Sequence, residues 1–422
     1  NEQALYKKVS LRLLPFLFLL YIVAYLDRVN ISFAKLQMND DLGFSDTVYG
    51  LGAGIFFIGY LLFEIPSNLL LHRMGAKLWL SRIIIVWGLI SMATLWVDSV
   101  ASFYTLRFLL GVGEAGFFPG IIYYLTLWYS NKRRTQAISL FLLAIPITGV
   151  LGSLLSGWIM VFFDEYLGLQ GWQWLFIIEG SPAVLLGIIS FFVLTDTPDQ
   201  ATWLSDTEKY LLISHIEDDM IENTHANLKE LLLSKTLWQL ASIYFLLAMG
   251  LYGISFWLPQ IIHDIGQRDL MQTSLLTAIP YAVAAVGMLI ISIHSDKTGE
   301  RHWHLIACLV GISLGFGLSI VFQHNLFMSL FALSLATLSV LSAIAIFWAI
   351  PTAFLSGRFA AGGIAFINAL GNLSGYLSPA LLGWLKDLTQ QMTSSLWILT
   401  IIPLLTILLV MGLKFKANNK MR

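Results

Sequence analysis

The sequence predicts an all-α membrane protein with twelve transmembrane helices in two pseudo-symmetric six-helix bundles. Three observations support this fold class: the composition, a series of apolar runs and an internal repeat. Of the 422 residues, 57% are hydrophobic and 12% are charged, whereas a soluble protein carries roughly 25% charged residues. Because half of the charge that would solvate a soluble protein is missing, we expect the chain to lie in a lipid bilayer.

Twelve apolar runs are each close to the roughly 20 residues that cross a bilayer as a helix. The first run follows Lys7 and Lys8 but has no small-residue cleavage site, so it is predicted to be a spanning helix rather than a signal peptide. We number the predicted spans 1 to 12. They cover residues 11–33, 47–70, 79–97, 101–128, 135–163, 174–195, 236–262, 272–294, 303–323, 326–350, 361–385 and 395–413.

The longest non-apolar stretch divides the chain into an N-terminal six-helix bundle at 1–195, a linker at 196–235 and a C-terminal six-helix bundle at 236–422. Nineteen of the 24 Lys and Arg residues lie in segments on the same side as the N-terminus, whereas the opposite side holds three, at positions 35, 268 and 386. Positive charge accumulates in cytoplasmic segments. Both termini and the linker are therefore predicted to be cytoplasmic, and we expect a monomer in a bacterial inner membrane.

The two halves share sequence. Residues 149–158 (GVLGSLLSGW) align with 375–384 (GYLSPALLGW) at an offset of 226, and 72–77 echo 296–301 at an offset of 224. Parallel repeats of this kind place a substrate site between the halves near the middle of the membrane, with access alternating as the bundles rock.

Charge balance and motif content exclude several function classes. With 24 Lys and Arg against 25 Asp and Glu, no basic field exists for a nucleic acid. Cys308 is the only cysteine, which excludes a disulfide framework, and His302 and His304 have no third ligand nearby for a metal. No HExxH, GxSxG or P-loop motif occurs. The sequence thus predicts no enzyme and no cofactor other than protons as the coupling ion.

The loop between spans 8 and 9, D-K-T-G-E-R at 296–301, is similar to the D-R-x-G-R-R signature of the major facilitator superfamily. This resemblance implies that Asp296 and Arg301 staple neighbouring helices on the cytoplasmic side. The first-half copy, which contains Arg73, has His72 in place of the acid. The charge-relay role that the resemblance implies for this loop is therefore doubtful in the first-half copy.

Two further stretches resemble the anion:cation symporter family within that superfamily. Span 4 reads R-F-L-L-G-V-G-E-A-G at 107–116, and residues 347–373 carry F-W-A-I-P-T-A-F-L-S-G and N-A-L-G-N-L. The resemblance implies the twelve-helix major facilitator fold and is closest to the bacterial branch that imports tartrate, phthalate-like and hydroxyaromatic carboxylates. Span 5 lacks the glycine-proline motif of drug/proton antiporters, which disfavours drug antiport.

Arg28 lies inside span 1, where a charged side chain costs roughly 2.5 to 3.5 kcal/mol and is functional by default. Its guanidinium presents a planar fork that matches a carboxylate, so we predict that it binds a substrate anion. The matching arginine in galactonate-type and sialic-acid-type family members binds substrate. The alternative is a structural ion pair with Asp27 or Glu114.

Asp27 and Glu114 are the candidate proton-coupling residues. Glu114 lies among glycines and alanine in span 4, where a low dielectric favours the neutral acid. A substrate anion that binds Arg28 would free a carboxylate to accept a proton. The alternative is a static charge cluster that holds spans 1 and 4 together.

The remaining candidates have smaller predicted roles. Arg107 lies two turns before Glu114 and is predicted to pack or gate helices, and Glu64 has an expected structural partnership with the Arg73 loop or a role in proton relay. Polar residues near span centres are predicted to line the substrate site: Tyr60, Tyr252, Trp348, Asn368 and Asn372.

Together these features predict a proton-coupled symporter that imports a small organic anion, such as a hydroxylated or aromatic carboxylate. An organic phosphate antiporter or uniporter is an alternative, but span 7 contains no Lys or Arg for a phosphate clamp. A non-transporting sensor or channel is the alternative from another class.

Overall fold

The structure is a computed structural model that describes residues 2–130, 137–138, 140–220, 232–266, 269–351 and 358–413. These residues form α-helices joined by short turns, and no strand occurs in this part of the chain. Eleven helices are long and apolar enough to cross a membrane. The helix Arg358–Thr389 is also long enough, but its two asparagines and many glycines and serines lower its hydropathy. With this helix as span 11, the predicted twelve-span fold class is confirmed.

Spans 1 to 6 form the N-terminal half and spans 7 to 12 the C-terminal half. In the N-terminal half they are Glu2–Leu42, Asp46–Met74, Ala76–Trp96, Val100–Thr126, Leu140–Phe162 and Gly171–Val193. In the C-terminal half they are Lys235–Gly266, Leu270–Thr298, His302–Val321, Leu326–Phe347, Arg358–Thr389 and Met392–Met411. We call the end of the bundle where span 1 begins and span 12 ends the proximal end, and the opposite end the distal end.

The linker contributes one helix to the described residues, Asp206–Met220. Its N-terminus is a capping box, because the N–H of Ser205 donates to Glu208 at 2.9 Å and the N–H of Glu208 donates to the Ser205 hydroxyl at 3.3 Å. Glu208 also pairs with Lys8 of span 1 at 2.8 Å. The linker helix is thereby attached to the N-terminal half. Residues 221–231 of the predicted linker lie outside the described residues.

Two spans of the N-terminal half are interrupted near their centres. Span 1 consists of Glu2–Val29 and Ile31–Leu42, with Asn30 between the two segments. Span 4 consists of Val100–Glu114 and Phe117–Thr126, and the turn between them contains Gly116 at φ +84°. Only glycine adopts this backbone conformation at no steric cost. Both interruptions lie beside the charged residues that the sequence places inside the membrane.

The halves meet mainly where span 2 packs against span 11 and span 5 packs against span 8. Small residues allow this approach: a Cβ added to Gly54 of span 2 would lie 2.6 Å from the carbonyl oxygen of Tyr376 of span 11. Close backbone approach at small residues is the usual basis of helix association in membranes. Side chains on spans 1, 2, 7 and 11 therefore face one another across the boundary between the halves.

Candidate functional site

Arg28 and Glu114 form an ion pair near the centre of the bundle. Nη2 of Arg28 donates to Oε1 of Glu114, and the two side chains are 12% and 1% exposed. Nε of Arg28 is buried and has no hydrogen-bond partner among the described residues. The structure therefore contains the ion pair that the sequence offered as one alternative, and the guanidinium keeps an unused donor.

Four aromatic rings surround the Arg28 guanidinium. Its central carbon lies 5.2 to 5.9 Å from the ring centres of Tyr25, Phe56, Phe57 and Tyr60. Rings at this distance attract a cation and shield it from water. The sequence predicted Tyr60 but missed the other three rings, although Tyr25 stands three residues before Arg28 and Phe56 four before Tyr60, spacings that share a helix face.

The C-terminal half approaches this aromatic cage through span 7. The ring of Tyr252 meets Phe57 edge-on with a centroid distance of 4.6 Å, and the hydroxyl of Ser255 lies 2.9 Å from that of Tyr25. The Arg28 site thus lies at the boundary between the two halves, where the internal repeat places a substrate.

Trp348, Asn368 and Asn372 lie farther into the C-terminal half. The Trp348 ring packs against Tyr244 with a centroid distance of 4.7 Å, and Gly371, between the two asparagines, lies directly against the Tyr244 ring. Both amides are half-buried. In the described residues no contact joins either amide to Arg28, although Gly375, three residues after Asn372, lies directly against the cage ring of Phe57.

Asp27 does not face Arg28. Its carboxyl is 1% exposed and accepts hydrogen bonds from Nε1 of Trp87 at 3.1 Å and from the hydroxyl of Ser91 at 3.0 Å, both on span 3. Successive residues on a helix point about 100° apart, because 3.6 residues make a turn. Asp27 and Glu114, which we expected to surround Arg28 together, therefore lie on different sides of span 1.

Arg107 is 2% exposed and joins spans 4 and 2. It donates from Nε to the carbonyl oxygen of Gly52 at 3.2 Å and from Nη2 to that of Ala53 at 3.5 Å. Glu64 is half-buried one turn after Tyr60, and no ion pair between Glu64 and the exposed Arg73 occurs in the described residues. Arg107 thus donates to backbone carbonyl oxygens, and its guanidinium also lies 5.4 Å from the ring centre of Phe56, the cage ring that it shares with Arg28.

The two repeated loops are held differently. Arg301 pairs with Asp296 and donates to the hydroxyl of Ser295 at 2.9 Å. In the first-half loop, which lacks the acid, the N–H of Lys77 donates to Asp196 at 2.7 Å. Asp196 directly follows span 6. The first-half loop has His72 where the signature has an acid, and in this loop the carboxylate comes from Asp196 instead.

Ion pairs close the distal end between the halves. Lys35 pairs with Asp46 at 2.7 Å and donates to the amide oxygen of Gln260 at 2.7 Å. Lys386 of span 11 pairs with Asp264 of span 7 at 2.9 Å and with Asp46 at 3.4 Å. We call these five residues the distal network. The ion pair between Lys386 and Asp46 and the hydrogen bond from Lys35 to Gln260 join the two halves.

A helix cap extends the distal network. Asp387 of span 11 accepts hydrogen bonds from the N–H groups of Asp46 at 3.2 Å and Thr47 at 2.6 Å, at the first turn of span 2. A carboxylate is favourable at a helix N-terminus, where unpaired N–H groups point outward. The described contacts thus join the halves at the distal end.

Sequence reasoning missed one buried acid, Glu179 of span 6, which is 2% exposed. The signal was available, since Glu179 interrupts an otherwise apolar run. In the described residues no group of three or more His, Cys, Asp or Glu side chains could hold a metal ion.

Comparison with known proteins agrees with this architecture. The chain is 43% identical to a putative metabolite transport protein, NicT, of Pseudomonas putida, and the match covers all 422 residues of this chain and 97% of that one. It is 46% identical to a putative tartrate transporter of Agrobacterium vitis, covering 94% of this chain and 91% of that one. It is 42% identical to a quinolone resistance transporter of Acinetobacter baumannii, covering 97% of this chain and 94% of that one.

The fold matches solved transporters as well. The xylose transporter XylE from E. coli, in a partially occluded inward open conformation, superposes with a TM-score of 0.74 at 13% identity, over 96% of this chain and 99% of that one. A family model described as the Major Facilitator Superfamily matches residues 17–379. The chain is a multi-pass membrane transporter, not an enzyme, and it belongs to the major facilitator superfamily.

Proposed function

We propose that this protein is a proton-coupled symporter that imports a small organic anion, such as a hydroxylated or aromatic carboxylate, by alternating access. The observation that carries the proposal is Arg28. It combines a fixed positive charge, an unused N–H donor and an aromatic cage at the boundary between the halves. A carboxylate bound there would meet a planar donor fork, and an attached ring or carbon chain would lie against the cage.

Glu114 supplies the coupling in this proposal. In the ion pair it is the carboxylate that Arg28 holds. A substrate carboxylate that takes its place at Arg28 leaves Glu114 buried without a cation. A buried carboxylate without a counter-charge is costly, so Glu114 then binds a proton. Anion and proton therefore bind together, which is the requirement for symport.

The distal network fits the state that this cycle needs before cytoplasmic release. The predicted orientation places Lys35 and Lys386 outside the cell, so their ion pairs would close the external route. Thiol labelling of a cysteine at position 210, on a Cys308→Ser background, tests the orientation. Labelling of intact cells by a membrane-impermeant reagent would contradict it.

Export of an aromatic carboxylate is a second candidate, favoured by the similarity to the quinolone resistance transporter. Quinolones carry an aromatic carboxylate, so the same arginine and cage would bind them. The two candidate functions differ in the direction of transport and share the same binding-site chemistry. Proton-gradient-driven uptake and proton-gradient-driven efflux in oriented liposomes separate them.

A screen of carboxylates for thermal stabilisation of the purified protein tests the substrate class, since a ligand at 100 times its Kd stabilises by about 2.7 kcal/mol. Hydroxylated and aromatic carboxylates are expected to raise the Tm, and their amides are not. Liposomes with an inward pH gradient should then accumulate a stabilising carboxylate. Stabilisation by sugar phosphates or neutral sugars alone would contradict the proposal.

A further inference from the structure

Glu179 of span 6 is a buried carboxyl that the Arg28 site does not use. Its Oε1 accepts a hydrogen bond from Ser156 of span 5 at 2.9 Å. Its Oε2 is buried and has no partner among the described residues. A membrane carboxyl with half of its hydrogen-bonding capacity unused is costly unless it binds something.

Asn30 of span 1 faces the same carboxyl. It is 0% exposed, both polar atoms of its side-chain amide lack a close hydrogen-bond partner, and the amide lies beside Glu179. Asp27, one turn before Asn30, is close enough to act on Glu179 electrostatically. We call Asp27, Asn30, Ser156 and Glu179 the Glu179 cluster. It joins spans 1, 5 and 6.

No cation balances this cluster in the described residues. Arg28 is turned toward Glu114, Arg107 donates to backbone carbonyl oxygens and Lys35 pairs with Asp46. The spans that pack against span 6 carry further charged groups, and none of the cations among them pairs with Glu179 in the described residues. Toward the proximal end these groups are Glu2, Lys7, Lys8 and Arg12 of span 1 and Lys77 and Arg82 of span 3, and toward the distal end they are Asp40 and Asp41 of span 1. Asp27 and Glu179 together therefore require at least one proton, because two unpaired buried carboxylates repel each other.

The buried atoms that lack hydrogen-bond partners indicate where that proton binds. A proton on Oε2 of Glu179 would let this oxygen donate to Oδ1 of Asn30, and among the described residues both of these atoms otherwise lack a partner. When the proton leaves, the Nδ2 group of Asn30 can donate to the carboxylate instead. An amide, which both donates and accepts, therefore serves both protonation states. A metal cation fits less well, since Trp87 directs an N–H donor at Asp27.

We propose that Glu179 is a second proton-binding site of this transporter, loaded in the substrate-free state and emptied during the transport cycle by transfer to Asp27. The O–H bond of Glu179 breaks, an O–H bond forms on the Asp27 carboxylate, and Asp27 releases the proton toward the central site. Asn30 lies between the two helical segments of span 1. In this proposal, a movement of Arg28 on substrate binding bends span 1 at Asn30 and so shifts Asp27 and Asn30 relative to span 6. This inference rests on the proposed proton-coupled transport.

Infrared spectroscopy of purified Glu179→Gln tests the loaded state without any transport. Substrate-free wild-type protein at neutral pH should show the C=O band of a protonated carboxyl, and Glu179→Gln should lose it. Glu165→Gln is the matched control, because Glu165 is exposed in the loop after span 5 and its loss should leave the band unchanged. An unchanged band in Glu179→Gln would overturn the proposal.

Liposome transport tests the emptied state. Glu179→Gln should keep substrate counterflow within a few-fold of wild type, but the number of protons moved per substrate, measured from the pH gradient that balances accumulation, should fall. If Glu179→Gln loses the infrared band but still moves the wild-type number of protons per substrate, Glu179 is a permanently protonated acid, and the proposal is overturned. Wild-type protein without any pH-driven transport would instead contradict the proposed function, whatever the spectra show.

Discussion

The two halves of the molecule derive from one repeated pattern but contribute opposite chemistry to the centre. In the described residues every fully buried Asp, Glu, Lys or Arg belongs to the N-terminal half: Asp27, Lys35, Arg107, Glu114 and Glu179. The C-terminal half contributes rings and hydroxyls at this boundary, such as Tyr252, which meets Phe57, and Ser255, which lies beside the Tyr25 hydroxyl. Among the described residues, the buried charges thus lie within one half.

This asymmetry has a physical consequence for a carrier whose halves move relative to each other. Separating a buried ion pair leaves each charge unpaired in a low dielectric, which costs several kcal/mol. Separating a hydroxyl or a ring from a charge costs far less. A half that is neutral at its centre can therefore rock against a charged half without a large barrier. The following predictions test this division of chemistry, from the largest expected effect to the smallest.

Arg28→Lys should abolish most substrate binding while the protein still folds. The ammonium group keeps the charge next to Glu114 but cannot make the planar two-point contact of a guanidinium. Hydrogen bonds to charged groups are worth about 1.5 to 3 kcal/mol, so affinity should fall roughly 10- to 150-fold. Calorimetric titration with the carboxylate found in the thermal screen measures the effect.

Arg82→Lys is the matched control for that experiment, because Arg82 is exposed at the proximal end of span 3, over the ring of Trp79. It should bind like the wild type. Near-normal affinity in Arg28→Lys would assign Arg28 to structure alone and move the anion site away from the N-terminal half.

Glu114→Gln should uncouple transport from the proton gradient. The amide imitates the protonated acid, so substrate can bind and the halves can exchange faces, but no proton can be released. Counterflow should persist, whereas accumulation driven by an inward pH gradient should fall to the equilibrium level. Both are measured with labelled substrate in liposomes.

Glu64→Gln serves as the comparison variant, since Glu64 has no contact with Arg28 in the described residues and should retain pH-driven accumulation. Wild-type accumulation by Glu114→Gln would remove Glu114 from the coupling mechanism and leave Asp27 and Glu179 as the buried acids that could perform it.

The sequence identified three of the five buried charges of the N-terminal half as membrane-embedded, whereas it missed most of the rings around Arg28, for a physical reason. A charge inside an apolar run is conspicuous because its insertion is costly, and Asp27, Arg28 and Glu114 were found in this way. Aromatic residues are common in every span, so composition could not distinguish the ring of Phe57 at Arg28 from a ring in lipid.

The sequence also could not show which way the side chains of neighbouring residues point. Adjacent positions 27 and 28 suggested one shared cluster, yet helix geometry turns the two side chains apart. Only the packing of spans 1, 3 and 6 showed that Asp27 faces Trp87 and the side of Glu179 rather than the ion pair.

Ser255→Ala should weaken the hydroxyl link from the neutral half to the cage. Tyr25 then loses its 2.9 Å partner, and one hydrogen bond is worth about 0.5 to 1.5 kcal/mol. Substrate affinity should fall by roughly 2- to 10-fold, with proton coupling intact. A cycle with Tyr25→Phe isolates the pairwise contribution. Additive effects in the double variant would show that the two hydroxyls act independently.

Lys386→Gln should loosen the distal network, where the C-terminal half contributes charges to the contact with the N-terminal half. Partly exposed ion pairs are worth about 0.2 to 1 kcal/mol, so the population open at the distal end should rise by up to roughly fivefold. A cysteine at Thr47, on a Cys308→Ser background, reports this as faster thiol labelling. Lys297→Gln, exposed at the proximal end, should not change the rate. An unchanged rate in Lys386→Gln would mean that the Asp387 cap and the close packing of spans 2 and 11 hold this end closed without the charges.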